Sequence, residues 1–264
     1  MLKVIIRYSQ FICIAILAML LFLSLFVQPN GDDFCFIAAT NDRTIDTMVT
    51  ASGRWSVALF SNSIYRLGSF SLIIIPLLGF VFLTISSYFL IHKILDHYDV
   101  SNKIKSMSGF LSVAFCISLV LSLHYFYQSI YWSGAVIAYV FPISAFNILL
   151  LLILGSHNKL RGFGILALSL FILLFNPAFV VLVAASAVLM IGRGILKKSR
   201  YLVFLGFGMV ALCAAALLIY KYSPAAVVRF DSYQHPHSLL GLGRTSILAY
   251  LWYVNNLLVS FQSL

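Results

Sequence analysis

The chain has 264 residues, 62% of them hydrophobic and only 9% charged. Soluble domains are about 45–50% apolar and about 25% charged, so a water-soluble globular protein is excluded. Seventeen Lys and Arg against seven acids give a formal charge of +10, but the basic residues lie between apolar blocks, which argues against a nucleic-acid surface.

A membrane span needs about 20 apolar residues to cross about 30 Å of hydrocarbon. The first candidate covers 4–27, with Lys3 and Arg7 at its start and no small-x-small cleavage pattern behind it. It reads as an uncleaved signal anchor. Further apolar segments cover 70–91, 110–123, 135–154, 163–175, 178–191, 201–220 and 247–261. The expected architecture is an all-α polytopic membrane protein of about eight transmembrane helices. It forms a single transmembrane domain over 1–264, with no internal repeat and no separate soluble domain.

The two short segments flanking Asn176-Pro177 read either as one kinked helix or as a hairpin. Charge separates the alternatives. Placing the N-terminus, 92–109, 155–162, 192–200 and the C-terminus on one side collects eleven Lys and Arg there, with Asp96 and Asp99. The other side then holds six Lys and Arg with five Asp. A single helix would spoil this asymmetry, so the positive-inside rule predicts the hairpin and two cytoplasmic termini. Loops at about 28–67, 124–134 and 221–246 then face outward. Cys13, Cys116 and Cys213 lie in apolar runs and Cys35 stands alone in a loop, so no disulfide framework is indicated.

Within the first outer loop, Ile45, Met48, Val49, Ser52, Trp55 and Leu59 recur at helical spacing, with Arg54 on the opposite face. That pattern predicts an amphipathic helix on the outer membrane surface, leading through Tyr65-Arg66-Leu67-Gly68 into the second span.

The polar groups that could carry chemistry cluster on the outer side. Asp32 and Asp33, in Asn30-Gly31-Asp32-Asp33-Phe34-Cys35-Phe36, either end the first span in water or supply a base whose pKa is raised beside hydrocarbon. The planar fork of Arg54 suits a phosphate. Trp55 suits either a sugar ring or an interfacial anchor. His124, Tyr127, Tyr131 and Trp132 form an aromatic turn that fits a membrane belt or a glycan cleft equally. Arg229, His235, His237 and Arg244 suit phosphate or glycan contact or a solvated loop, and His235-Pro236-His237 has no standard zinc spacing. No apolar segment carries an ionisable group at its centre, as an ion-coupled transporter would. There is no phosphate-binding loop, dinucleotide fingerprint or H-E-x-x-H motif.

A first span followed by Asn30-Gly31-Asp32-Asp33-Phe34-Cys35-Phe36, then Ser52-Gly53-Arg54-Trp55, and later Tyr131-Trp132-Ser133-Gly134-Ala135, resembles bacterial membrane glycosyltransferases of the GT-C superfamily. Within it, the likeness is to relatives of phage O-antigen glucosyltransferases. It covers about residues 1–154, and the rest only by general architecture. The chain is also shorter than most such enzymes and has no acid in its later helices.

The resemblance implies a GT-C-like fold and transfer of a sugar from a polyprenyl-phosphate carrier to a glycan or lipid acceptor, such as lipopolysaccharide or a cell-wall polymer. The reaction would occur at the periplasmic or extracellular face of the bacterial inner membrane. Asp32 and Asp33 would be the catalytic carboxylates, and Arg54 with Arg229 or Arg244 would meet the departing phosphate. Trp55, His124, Tyr127, Tyr131, Trp132, His235 and His237 would contact substrate. No cofactor is required, although Asp32 and Asp33 could hold a divalent cation, Mg or Mn. The implied partners are the donor, the acceptor, bilayer lipids and a further membrane protein, with no nucleic acid. Two other readings stay open: a non-catalytic subunit that binds or assembles glycolipid, and a lipid-linked-sugar translocase, which would need a polar central cavity.

Overall fold

A computed structural model describes residues 54–121, 134, 136–155 and 158–223, with Ala15, Ala18 and Phe22 as isolated helical positions. Everything described is helical or turn. Helix α1 (Trp55–Tyr65) leads through a 3₁₀ turn (Gly68–Phe70) into α2 (Ser71–His97). A one-turn helix α3 (Asn102–Lys105) precedes α4 (Ser108–Leu121). A π turn (Val136–Val140) opens α5 (Phe141–Leu154), followed by α6 (Lys159–Leu173), α7 (Phe179–Leu196) and α8 (Arg200–Lys221).

Among the described residues, four helical stretches are long and apolar enough to cross a membrane: Gly68–His97, Val136–Leu154, Phe179–Leu196 and Arg200–Lys221. The chain is a polytopic, all-α membrane protein. Helices α2 and α7 run past the apolar limits expected at 91 and 191, each adding a polar last turn. In α2 that turn holds Asp96, whose carboxylate takes the Lys105 ammonium at 2.8 Å and lies 3.8 Å from His92. Apart from Ala15, Ala18 and Phe22, the expected spans at 4–27 and 247–261 lie outside the described residues.

Side-chain contacts fix the helix directions. Residues near 87 meet 116, and His92 meets Ser108, so α2 and α4 are antiparallel. Phe82 stacks edge-on to Phe141 while Ser86 and Ser87 reach Asn147, so α2 and α5 run parallel. Tyr201 bonds to Asn158 and Tyr220 to Leu173, which makes α8 parallel to α6. Cys213 reaches Val180, and α7 therefore runs against both. The segment 159–196 is thus a hairpin, and the kinked single helix is excluded. Its turn is closed by Asn176, whose side-chain oxygen accepts the Ala178 N–H at 3.1 Å.

These directions gather the helix ends into two groups. One holds Lys93, Lys103, Lys105, Lys159, Arg161, Arg193, Lys197, Lys198 and Arg200, with Asp96 and Asp99. At the other, the described charges are Arg54, Arg66 and Lys221, with no acid among the described residues.

Lipid is as apolar as leucine, so helices in a bilayer are held by close packing and polar contacts rather than by the hydrophobic effect. Both devices are present. In the α2–α4–α5 group, the buried Asn147 amide donates to the Ser86 and Ser87 hydroxyls at 3.2 and 3.1 Å. The Cys116 thiol approaches Ser87 at 4.0 Å. In the α7–α8 pair, small residues do the work. A β-carbon on Gly206 would meet Ile191 and lie 3.1 Å from the Ala187 carbonyl, and one on Gly194 would strike the Val203 backbone at 2.8 Å.

Gly206→Leu should therefore wedge α7 from α8 and cost roughly 1–3 kcal/mol, as overpacking of a filled interface does. Gly192 faces open space, so Gly192→Ala should leave the midpoint of thermal unfolding in detergent unchanged or slightly raised. Equal midpoints for the two variants would contradict the packing described.

Candidate functional site

The end of the bundle that holds Arg54, Arg66 and Lys221 is organised around the C-terminus of α6. The last carbonyls of a helix have no partner within it and need one elsewhere when water is remote. Ser56 of α1 supplies two donors: its hydroxyl bonds to the Phe171 carbonyl at 2.8 Å and its N–H to Leu174 at 3.3 Å. Tyr220 of α8 supplies a third, its hydroxyl donating to Leu173 at 2.6 Å. One turn on, the Ser223 hydroxyl donates to the Tyr220 carbonyl at 2.8 Å. Three elements distant in sequence are thereby locked at one point.

Helix α1 fits this junction because its inner face is small. Ser56, Ala58 and Ser61 are buried, as is Tyr65, while Trp55 and Leu59 point away from the protein. Beneath the junction Phe60 packs against Phe141, Phe171 and Phe175 with ring centroids 5.4–5.8 Å apart. The expected common face of Trp55 and Leu59 is present. Their exposure suits lipid contact, with the polar-small stripe turned inward to the bundle.

Arg54 sits at the first position before α1, half-buried, and its carbonyl accepts the Ala58 N–H. A guanidinium carries five donors and no acceptor, and a cation beside a helix C-terminus is favoured by the helix dipole. The first amides of α7 are already committed, with Phe179 and Val180 N–H bonding to the Asn176 and Pro177 carbonyls. Among the described residues, the cations of this end are Arg54, Arg66 and Lys221. Lys221, on the same end, lies 5.7 Å from the centre of the Tyr222 ring.

Of the residues singled out in the sequence, the structure describes Arg54 and Trp55. Asp32, Asp33, His124, Tyr127, Tyr131, Trp132, Arg229, His235, His237 and Arg244 lie outside the described residues. Ser56, Tyr220 and Ser223 carry the junction and were not anticipated, whereas Asn176 stands in the turn expected there. The one signal for them is positional: each stands at the polar edge of an apolar run. Among the described residues no group of three or more His, Cys, Asp or Glu could hold a metal ion.

Replacing Tyr220 by Phe keeps the ring and removes the donor to Leu173. The expected loss is about 1–3 kcal/mol, the range for leaving a buried acceptor unpaired, measured as a lower unfolding midpoint. Ser56→Ala should behave alike, and the double variant should fall short of the sum, because both act on one helix end.

Compared with protein-family models, curated protein sequences and solved structures, the chain matches none of them.

Proposed function

We propose that this chain is a GT-C-type glycosyltransferase of about eight spans. It moves a sugar from a polyprenyl-phosphate carrier to a glycan or lipid acceptor at the outer face of a bacterial inner membrane. The observation that carries this reading is the placement of Arg54. Arg54 stands two residues before Ser56, which joins α1 to the end of α6, at the end of the bundle where the described charges are all positive. Such a site suits a phosphate delivered from the bilayer. The charge asymmetry between the two ends supports the orientation, with the Lys/Arg-rich end and both termini cytoplasmic.

The reaction is a single displacement. The acceptor hydroxyl oxygen attacks the anomeric carbon, and the new glycosidic bond forms as the bond to the carrier's phosphate oxygen breaks. The acceptor proton passes to Asp32 or Asp33. The electron pair leaves with the polyprenyl phosphate, whose growing charge Arg54 stabilises together with Arg229 or Arg244. Trp55, with the aromatic turn of His124, Tyr127, Tyr131 and Trp132 and the loop histidines His235 and His237, contacts the sugars. Inversion at the anomeric centre follows from one displacement.

Turnover is assayed with purified protein given a polyprenyl-phosphate sugar and a lipid or glycan acceptor. Asp32→Asn or Asp33→Asn should abolish transfer. Arg54→Ala should lower it by roughly 30- to 1,000-fold, the equivalent of about 2–4 kcal/mol of transition-state stabilisation. Arg54→Lys should restore only part, since Lys lacks the planar fork. Turnover with a nucleotide sugar alone, in a preparation free of carrier lipid, would exclude this donor. Full activity in Asp32→Asn, Asp33→Asn and Arg54→Ala would exclude the mechanism.

Orientation is tested separately. Ser63, on the exposed side of α1, should as Ser63→Cys in a Cys35→Ser background react with an impermeant thiol reagent in intact cells. Lys159→Cys in the same background should react only after permeabilisation. The opposite pattern would invert the topology.

A further inference from the structure

We propose that the groove where α7 turns into α8 is a binding site for an anionic phospholipid, independent of sugar transfer and at the opposite end of the bundle from Arg54. The groove is open-sided, about 400 Å³ in volume, and lined by Ile195, Val203, Phe204 and Phe207, with Lys198 and Arg200 also among its lining residues. Its walls are unpacked within the protein: Ile195, Phe204 and Phe207 are 64%, 72% and 60% exposed. In a bilayer they meet acyl chains. The groove exists because Gly194 and Gly206 bring the two helix axes close, where any β-carbon would collide with the neighbouring helix.

The rim has its own peculiarity. The Ser199 N–H bonds to the Gly194 carbonyl at 2.8 Å and the Lys198 N–H to Ile195 at 3.1 Å, the paired bonds of a Schellman helix end. The residue between them takes the left-handed conformation usually left to glycine, and here it is Lys198, at φ 51°. A side chain is strained there and glycine is not. Lys198 thus leaves a fixed turn at the edge of the apolar groove. Arg193 nearby is committed to the Ile153 carbonyl at 3.0 Å. The two described carboxylates, Asp96 and Asp99, belong to the α2–α3 turn, where Asp96 holds Lys105.

Two cations over an apolar trough match a phosphate with a neutral headgroup and an acyl chain below it. A zwitterionic lipid brings its own ammonium to the rim and is disfavoured.

The test is lipid retention by the detergent-purified full-length chain, read by native mass spectrometry after equilibration with phosphatidylglycerol or phosphatidylcholine. The wild type should retain phosphatidylglycerol preferentially. Lys198→Gly with Arg200→Gln should retain roughly 10- to 30-fold less, the expected effect of removing two surface cations. Lys198→Gly alone should give part of that loss while its lipid-free unfolding midpoint stays level or rises, because glycine relieves the turn. Lys159→Gln, a cation removed elsewhere on the same end, should retain the lipid like the wild type. Equal retention of both lipids, undiminished retention by the double variant, or an equal loss in Lys159→Gln would each overturn the site.

Discussion

The interaction on which the rest depends is the closure of the α6 C-terminus by Ser56 and Tyr220. At 1.5 Å per residue, the 15 residues of α6 span about 22 Å, less than the about 30 Å of a hydrocarbon core. Its first turn is held in a polar layer by Lys159 and by the Asn158 side chain, which accepts the Arg161 N–H at 2.8 Å. The other end must then stop about 8 Å short of the far boundary. Carbonyls stranded at that depth cannot be left to water, and each unpaired one would cost several kcal/mol. Donors from α1 and α8 remove the cost and, in doing so, decide where α1 lies.

The same closure gives the arginine its setting. With the α6 carbonyls accepting from Ser56 and Tyr220, and the first α7 amides turned back on the Asn176–Pro177 turn, the backbone at this point is satisfied. On the proposed reading, the Arg54 fork would be left for a phosphate, and in a low-dielectric setting each charge-assisted bond to it would count for more.

Much of this was legible in the sequence, and the limits have a physical cause. Hydropathy located the described helices, since about 20 apolar residues have few other fates, and the Lys/Arg asymmetry chose a hairpin over a kinked helix at Asn176-Pro177. Those are local or additive signals. The contacts that lock the bundle are neither. Ser56 meets a carbonyl 115 residues away, Tyr220 one 47 residues away, and Asn147 a serine 61 residues back. A serine or tyrosine at the edge of an apolar run looks the same whether it faces headgroups or closes a helix end. Arg54 and Trp55 were singled out from residue chemistry, and the structure adds what chemistry could not name: the next residue, Ser56, ties this point of the chain to the end of α6.

Helix α8 ties the two ends of the molecule to one element. Tyr201 near its start donates to the Asn158 carbonyl at 2.9 Å, and Tyr220 near its end donates to Leu173, so α8 grips α6 at both extremities. A β-carbon on Gly162 would run into the Tyr201 hydroxyl, and that glycine is therefore part of the grip. Two bonds whose acceptors lie about 22 Å apart along α6 leave α8 little freedom to slide or roll against its partner. The carbonyl that Tyr220 caps and the turn that bears Lys198 and Arg200 are in this way held by the same rod. Any force that shifted α8 along its axis would have to break the Tyr201 and Tyr220 bonds together, which is why the Arg54 junction can be rigid although its three contributing segments come from distant parts of the chain.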